Sequence, residues 1–247
     1  MSMPSPDFAI PSIWQLPDEF RRRLGTTVGR QRLMVHEEQL LLVAHDVPEA
    51  SERRRRGLLF WRDADKQWHA SNGDPGEVAL SILVEKYSKR LEQFDAAEVA
   101  ALKSTEYLPL LEGLTPLGRS ARNLYELLAE ARRAVPDCRE LIDARDAAYE
   151  MSRNAELLYQ DAKNAMDIAI IRQAEEQAKS SEQMSVASHR LNLMAAIFFP
   201  LATLGGIFGT TLTDGWSWSQ TAAPFILFLI VGLISGAILV GFVGKKA

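Results

Sequence analysis

The sequence predicts an α+β cytoplasmic domain followed by a very long stalk helix and a two-helix transmembrane hairpin. Three observations predict it. Short apolar runs broken by turn residues occur only between about residues 30 and 70. After Pro136 there is no proline until Pro200, and along the first half of that stretch apolar residues recur at alternating steps of three and four. Two late runs, Leu191–Thr213 and Gly215–Gly244, carry no charged side chain. Each exceeds the roughly 20 residues a helix needs to cross a bilayer core.

Composition bounds the function before any motif does. The chain has 247 residues and a formal net charge of −4, which gives no electrostatic footprint for nucleic acid. Its one cysteine, Cys138, can form no intrachain disulfide, and no second thiol suggests a thiolate metal site. The opening "MSMPSPDFAIPSIWQLPDEFRRR" is cut by prolines and acidic residues, so it lacks the apolar core of a secretory signal and is expected to stay in the cytoplasm. Residues 1–29 are read as an N-terminal extension.

Residues 30–135 are read as a small α+β cytoplasmic domain. "RLMV" and "LLLVAH" flank "HEEQ", and "LLFWR" and "QWHA" flank "DADK", which predicts two hairpins or a small antiparallel sheet. The run Ser51 to Arg56, "SERRRR", lies between them as a solvated loop, with contact to an anionic lipid or nucleotide as the alternative. A helix is expected from Glu77 to about Lys103, and a second from near Pro116, ended by Pro136. The four histidines, His36, His45, His69 and His189, are scattered, and His36 and His45 read as strand-end residues. No nucleophile–base spacing or nucleotide-binding glycine loop is present, so no catalytic residue, no enzyme activity and no cofactor is expected.

Residues 136–190 form the predicted stalk. Leu141, Ala144, Ala148, Met151, Ala155, Leu158, Ala162, Ala165 and Ala169 keep the heptad spacing of a helix packed against other helices, and their small size allows close approach. A second stripe runs through Ala174, Ala178, Ser181, Ser185, Ser188, Asn192, Ala195, Phe199, Ala202 and Gly206, into the first apolar run. Unbroken from Asp137 to Leu212, such a helix would be about 110 Å long at 1.5 Å per residue. A rod of that length has no use in one domain; a bundle of identical rods explains both stripes.

The two spans are placed at 191–212 and 221–243, with an outer loop at 213–220 and a tail at 244–247. Lys179, His189 and Arg190 precede the first span, Lys245 and Lys246 follow the second, and the loop holds only Asp214. By the positive-inside rule both termini are cytoplasmic, in a multi-pass protein of the inner membrane. Trp216 and Trp218 are expected as interfacial anchors in contact with lipid. The second stripe has two readings. Small residues permit close helix packing. Ser185, Ser188 and Asn192 on one face at the cytoplasmic mouth favour a water-accessible pore lined also by Ala195, Ala202 and Gly206, with Phe199 and the adjacent Leu191 as its apolar constriction.

The stretch "RLNLMAAIFFPLATLGGIFGTTL", followed by "DGWSWSQTAAP" and a second span ending in "GKKA", resembles the CorA-type magnesium transporters with two transmembrane helices per subunit. Pro200, Leu201, Gly206, Ile207, Phe208 and Gly209 match the family's first span and the start of its Gly-Met-Asn signature, and Trp216 and Trp218 match its paired tryptophans. The resemblance covers about the last 60 residues closely and the rod more loosely. It implies a funnel-shaped homopentamer that passes divalent cations, magnesium first, through a pore along the first span. Where the family has Gly-Met-Asn, this chain has Gly209-Thr210-Thr211, and the carboxamide is absent. The expected outer mouth is therefore Gly209, Thr210, Thr211 and Asp214, with Thr210 and Thr211 holding a hydrated cation through outer-sphere hydrogen bonds. The competing reading is a membrane-anchored sensor or effector on the same scaffold, without selective transport.

Overall fold

The computed structural model describes residues 10–25, 27–49, 55–208 and 221–244. The chain divides into two compact units, Met1–Ile171 and Arg172–Ala247.

The first unit is built on a four-stranded antiparallel meander, β1 (Arg32–His36), β2 (Gln39–His45), β3 (Gly57–Arg62) and β4 (Trp68–Ala70), in that spatial order. His36 pairs with Gln39, so a two-residue loop joins β1 to β2. Glu37 and Glu38 both take positive φ, 45° and 64°, as a right-twisted hairpin of this length requires. The sheet is covered on both sides. Leu40, Leu42, Ala44, Leu58 and Phe60 face a helical layer, and Leu41, Val43, Leu59 and Trp61 face a smaller cluster made by Trp14, Leu16, Phe20 and Val28. Phe20 is delivered by the short helix α1 (Asp18–Arg23) and is fully buried. The residues read as a mere extension thus supply the outer layer of the sheet. The signal was present in β2 and β3, whose runs "LLLVA" and "GLLFW" are continuously apolar instead of alternating.

The helical layer comprises α2 (Gly76–Ala100), α3 (Ser104–Ala134) and the first part of α4 (Arg139–Phe208). Helix α2 starts hard against the end of the sheet, where a Cβ at Gly76 would run into the carbonyl of Trp68. Helix α3 begins twelve residues before the predicted start at Pro116, and takes Pro109 and Pro116 into its interior. An internal proline costs roughly 3 kcal/mol. Tyr107, Leu110, Leu114, Leu117, Ala121, Leu124, Leu128 and Ala131 are all buried at steps of three and four, on both sides of Pro116. Each buried leucine contributes about 1.5–3 kcal/mol, so the stripe outweighs the proline. The helix does end at Ala134, before Pro136.

Along α4, Leu141, Ala144, Ala148, Met151, Ala155, Leu158 and Ala162 are each 8% exposed or less, and Ala165 and Ala169 pack at the edge of the same core. The helices that cover them belong to the same chain. A buried polar network ties the layers together. The Gln31 amide donates to the Ser120 carbonyl at 3.0 Å, Tyr87 Oη and Ser120 Oγ are 2.6 Å apart, and Tyr87 also donates to the carbonyls of His45 and Asp46 at 3.2 Å.

The second unit contains the rest of α4 and helix α5 (Ala223–Gly244). Helix α4 continues through Pro200 to Phe208. The two helices touch through glycine: a Cβ at Gly236 would stand 3.4 Å from the Ile197 Cα, and one at Gly232 would stand 2.8 Å from Leu201 Cδ2. Gly232 and Gly236 are four apart, the spacing that lets two helices approach closely.

Candidate functional site

Helix α5 defines what α4 leaves uncovered in the second unit. Leu193, Ala196, Pro200, Leu201 and Leu204 are half-buried on the side that α5 covers. At about 100° per residue the second stripe lies roughly 130° round the helix from that side. Ser181, Ser185, Ser188, Asn192, Ala195, Ala202 and Gly206 are all exposed, and nothing stands within 4 Å of where a Cβ at Gly206 would be. Leu191 is 66% and Phe199 73% exposed on or beside the same face. The structure therefore brings the predicted lining residues onto one exposed surface, on a different face of α4 from the side that α5 covers. Thr203 lies outside the stripe and spends its hydroxyl on the Phe199 carbonyl at 2.8 Å.

Gly209, Thr210, Thr211, Asp214, Trp216 and Trp218 lie outside the described residues. Among the described residues no helix is long and apolar enough to cross a membrane. The described side chains of α5 run without break from Phe225 to Gly241, about 25 Å at 1.5 Å per residue, against a hydrocarbon core of about 30 Å. Among the described residues no group of three histidine, cysteine, aspartate or glutamate side chains is placed to hold a metal ion.

Two buried joints of the first unit perturb the groups they hold, His45 and Tyr87. Burial holds His45 below the ordinary histidine value of 6.5, and the nearby Arg55 and Arg32 push the same way; its Nε2 lies 2.9 Å from the Gly29 carbonyl while Nδ1 is buried without a partner among the described residues. Burial raises the Tyr87 hydroxyl far above its ordinary value. His69 Nε2 lies 2.7 Å from Asp63 Oδ2, with its ring stacked 4.9 Å from that of Trp61. His36 and His45 do end their strands, as the sequence predicts.

No protein-family model matches the chain, and no curated relative does either. Among solved structures, full-length CmaX aligns over 95% of this chain and 82% of its own, with a TM-score of 0.57 at 14% identity. The chain shares the CmaX fold. The CorA magnesium transporter of Methanocaldococcus jannaschii aligns over 91% of this chain and 85% of its own, with a TM-score of 0.48 at 14% identity. A score below 0.5 does not establish a common fold, so the shared architecture rests on CmaX: a small α+β unit, a helix of 70 residues and a second apolar helix.

Proposed function

We propose that the chain forms a homo-oligomeric membrane channel for divalent cations, magnesium first among them, with both termini in the cytoplasm. The observation that carries this reading is the uncovered stripe of α4 from Ser181 to Gly206, small or hydroxyl- or amide-bearing at every position but Phe199, beside a helix that covers a different face. One copy cannot enclose water with a single helix face; a ring of copies can. The hairpin of α4 and α5 is the membrane part, since 191–213 and 215–244 carry no charge. The CorA-like residues quoted above support five copies and a hydrated ion, magnesium first, as cargo.

In this reading conduction is passive. Thr210 and Thr211 offer hydroxyl oxygens to the hydration shell at the outer mouth, and magnesium, which sheds water reluctantly, is met through that shell. Asp214 adds one negative charge per subunit to the rim, an attraction that fades over about 8 Å at physiological ionic strength. The missing carboxamide favours one second reading, a membrane-anchored sensor that keeps the scaffold and has lost selective transport. The test is ion entry into liposomes carrying the purified protein, comparing magnesium, zinc, nickel, sodium and potassium. Selective divalent entry supports the channel, and intact oligomers without any entry support the sensor.

A further inference from the structure

Two clefts flank α4 within the first unit, and their charges are opposite. On the α2 side a cleft of ≈ 440 Å³ presents Glu92, Asp95, Glu150 and Asp161, with no cationic residue in its lining. On the α3 side a cleft of ≈ 340 Å³ presents Arg119 and Arg122, with Glu156 as its only carboxylate. They sit at the same height, since α4 contributes residues 147–161 to the first and residues 152–160 to the second. Leu157, in the lining of the first cleft, is 45% exposed, and Ile168 and Ile171, farther along α4, are 51% and 59% exposed.

We infer that the acidic α2–α4 cleft of one copy docks on the basic α3–α4 cleft of the next, closing the ring through the cytoplasmic unit as well as through the membrane. The inference rests on the oligomeric reading above and names the surface that makes it. A ring joins two different patches of each copy, and the rotation closes only when both lie at the same level on the axis. Opposite charge on two such patches gives both the register and the rejection of wrong pairings, as like patches repel. Exposed Leu157 in the first cleft, with Ile168 and Ile171 farther along α4, supplies the apolar area that charged rims lack. A partner copy fits the acidic cleft better than a bare cation does, because its carboxylates are strung over three turns of helix and, among the described residues, no three converge on one point.

The test uses the full chain in detergent, with native mass spectrometry across a dilution series. Arg119→Glu with Arg122→Glu, and separately Glu92→Lys with Asp95→Lys, should each raise at least tenfold the protein concentration at which half of the rings come apart. All four changes in one chain should bring that concentration back well below that of either single-side variant, because the second cleft is then acidic and meets two cations in the first, where Glu150 and Asp161 only balance them. That restoration also shows the single-side variants to be folded. Unchanged dissociation in both single-side variants, or a fourfold variant as weak as either, overturns the inference and leaves the channel reading standing. A parent chain that is monomeric at every concentration removes both.

Discussion

His45 closes β2 with one ring nitrogen on the Gly29 carbonyl and the other buried without a partner among the described residues, so a second proton has nowhere favourable to go. Its folded pKa lies below the unfolded value, and the unfolded chain therefore takes up the proton first. The stability due to neutral His45 is complete above the ordinary value of 6.5 and is lost as pH falls from there through the folded pKa. Urea midpoints between pH 7 and 5 should fall in the parent and fall less in His45→Gln. Glu38 holds a positive φ that glycine adopts without strain, so Glu38→Gly should raise stability by about 0.5–1 kcal/mol, read as a higher urea midpoint with unchanged slope. At the proposed outer mouth, Thr211→Asn supplies the carboxamide of the CorA-like signature and should strengthen both magnesium preference and block by cobalt hexammine, while Asp214→Asn should reduce magnesium entry most at low salt. No difference from the parent in either variant would show that the threonine turn is not a selectivity site.

The alanine-rich stripe of α4 was legible in the sequence because its spacing is local and repeats, and the structure buries it from Leu141 to Ala162. Its partners were not legible: heptad spacing says that a face is covered and not by what, and here α2 and α3 of the same chain cover it. The true start of helix α3 is not legible locally, since Pro116 reads as a helix start, whereas the burial of Leu110, Leu114 and Leu117 that extends the helix back to Ser104 is a tertiary effect. The layer of Trp14, Leu16 and Phe20 was missed because an isolated six-residue helix has no periodicity to count. In the hairpin, Gly236→Leu places a side chain against the Ile197 backbone and should lower the temperature at which the detergent-solubilised protein aggregates by several degrees. Gly241→Leu, which meets open space, should leave it unchanged. In the proposed channel Phe199→Ser should raise leak conductance, since an apolar ring can gate a narrow pore by excluding water. An unchanged open probability in a well-folded oligomer would assign Phe199 to packing.

At the scale of the whole molecule, the α+β unit, the very long helix and the second apolar helix follow from patterns visible in the sequence, and the CmaX fold unites them. The proposed assembly rests on the face of α4 that one chain leaves bare. The central claim is that this face lines a water-filled, conducting axis. Thiol modification during flux tests it most directly. In a Cys138→Ala background, Ala195→Cys and Ala202→Cys place thiols on the bare face, and Leu193→Cys and Leu204→Cys place them on the face that α5 covers. A membrane-impermeant thiol reagent should block divalent entry into liposomes at the first pair and leave it unchanged at the second. Block at the second pair alone, or at neither in vesicles that conduct, would contradict the account.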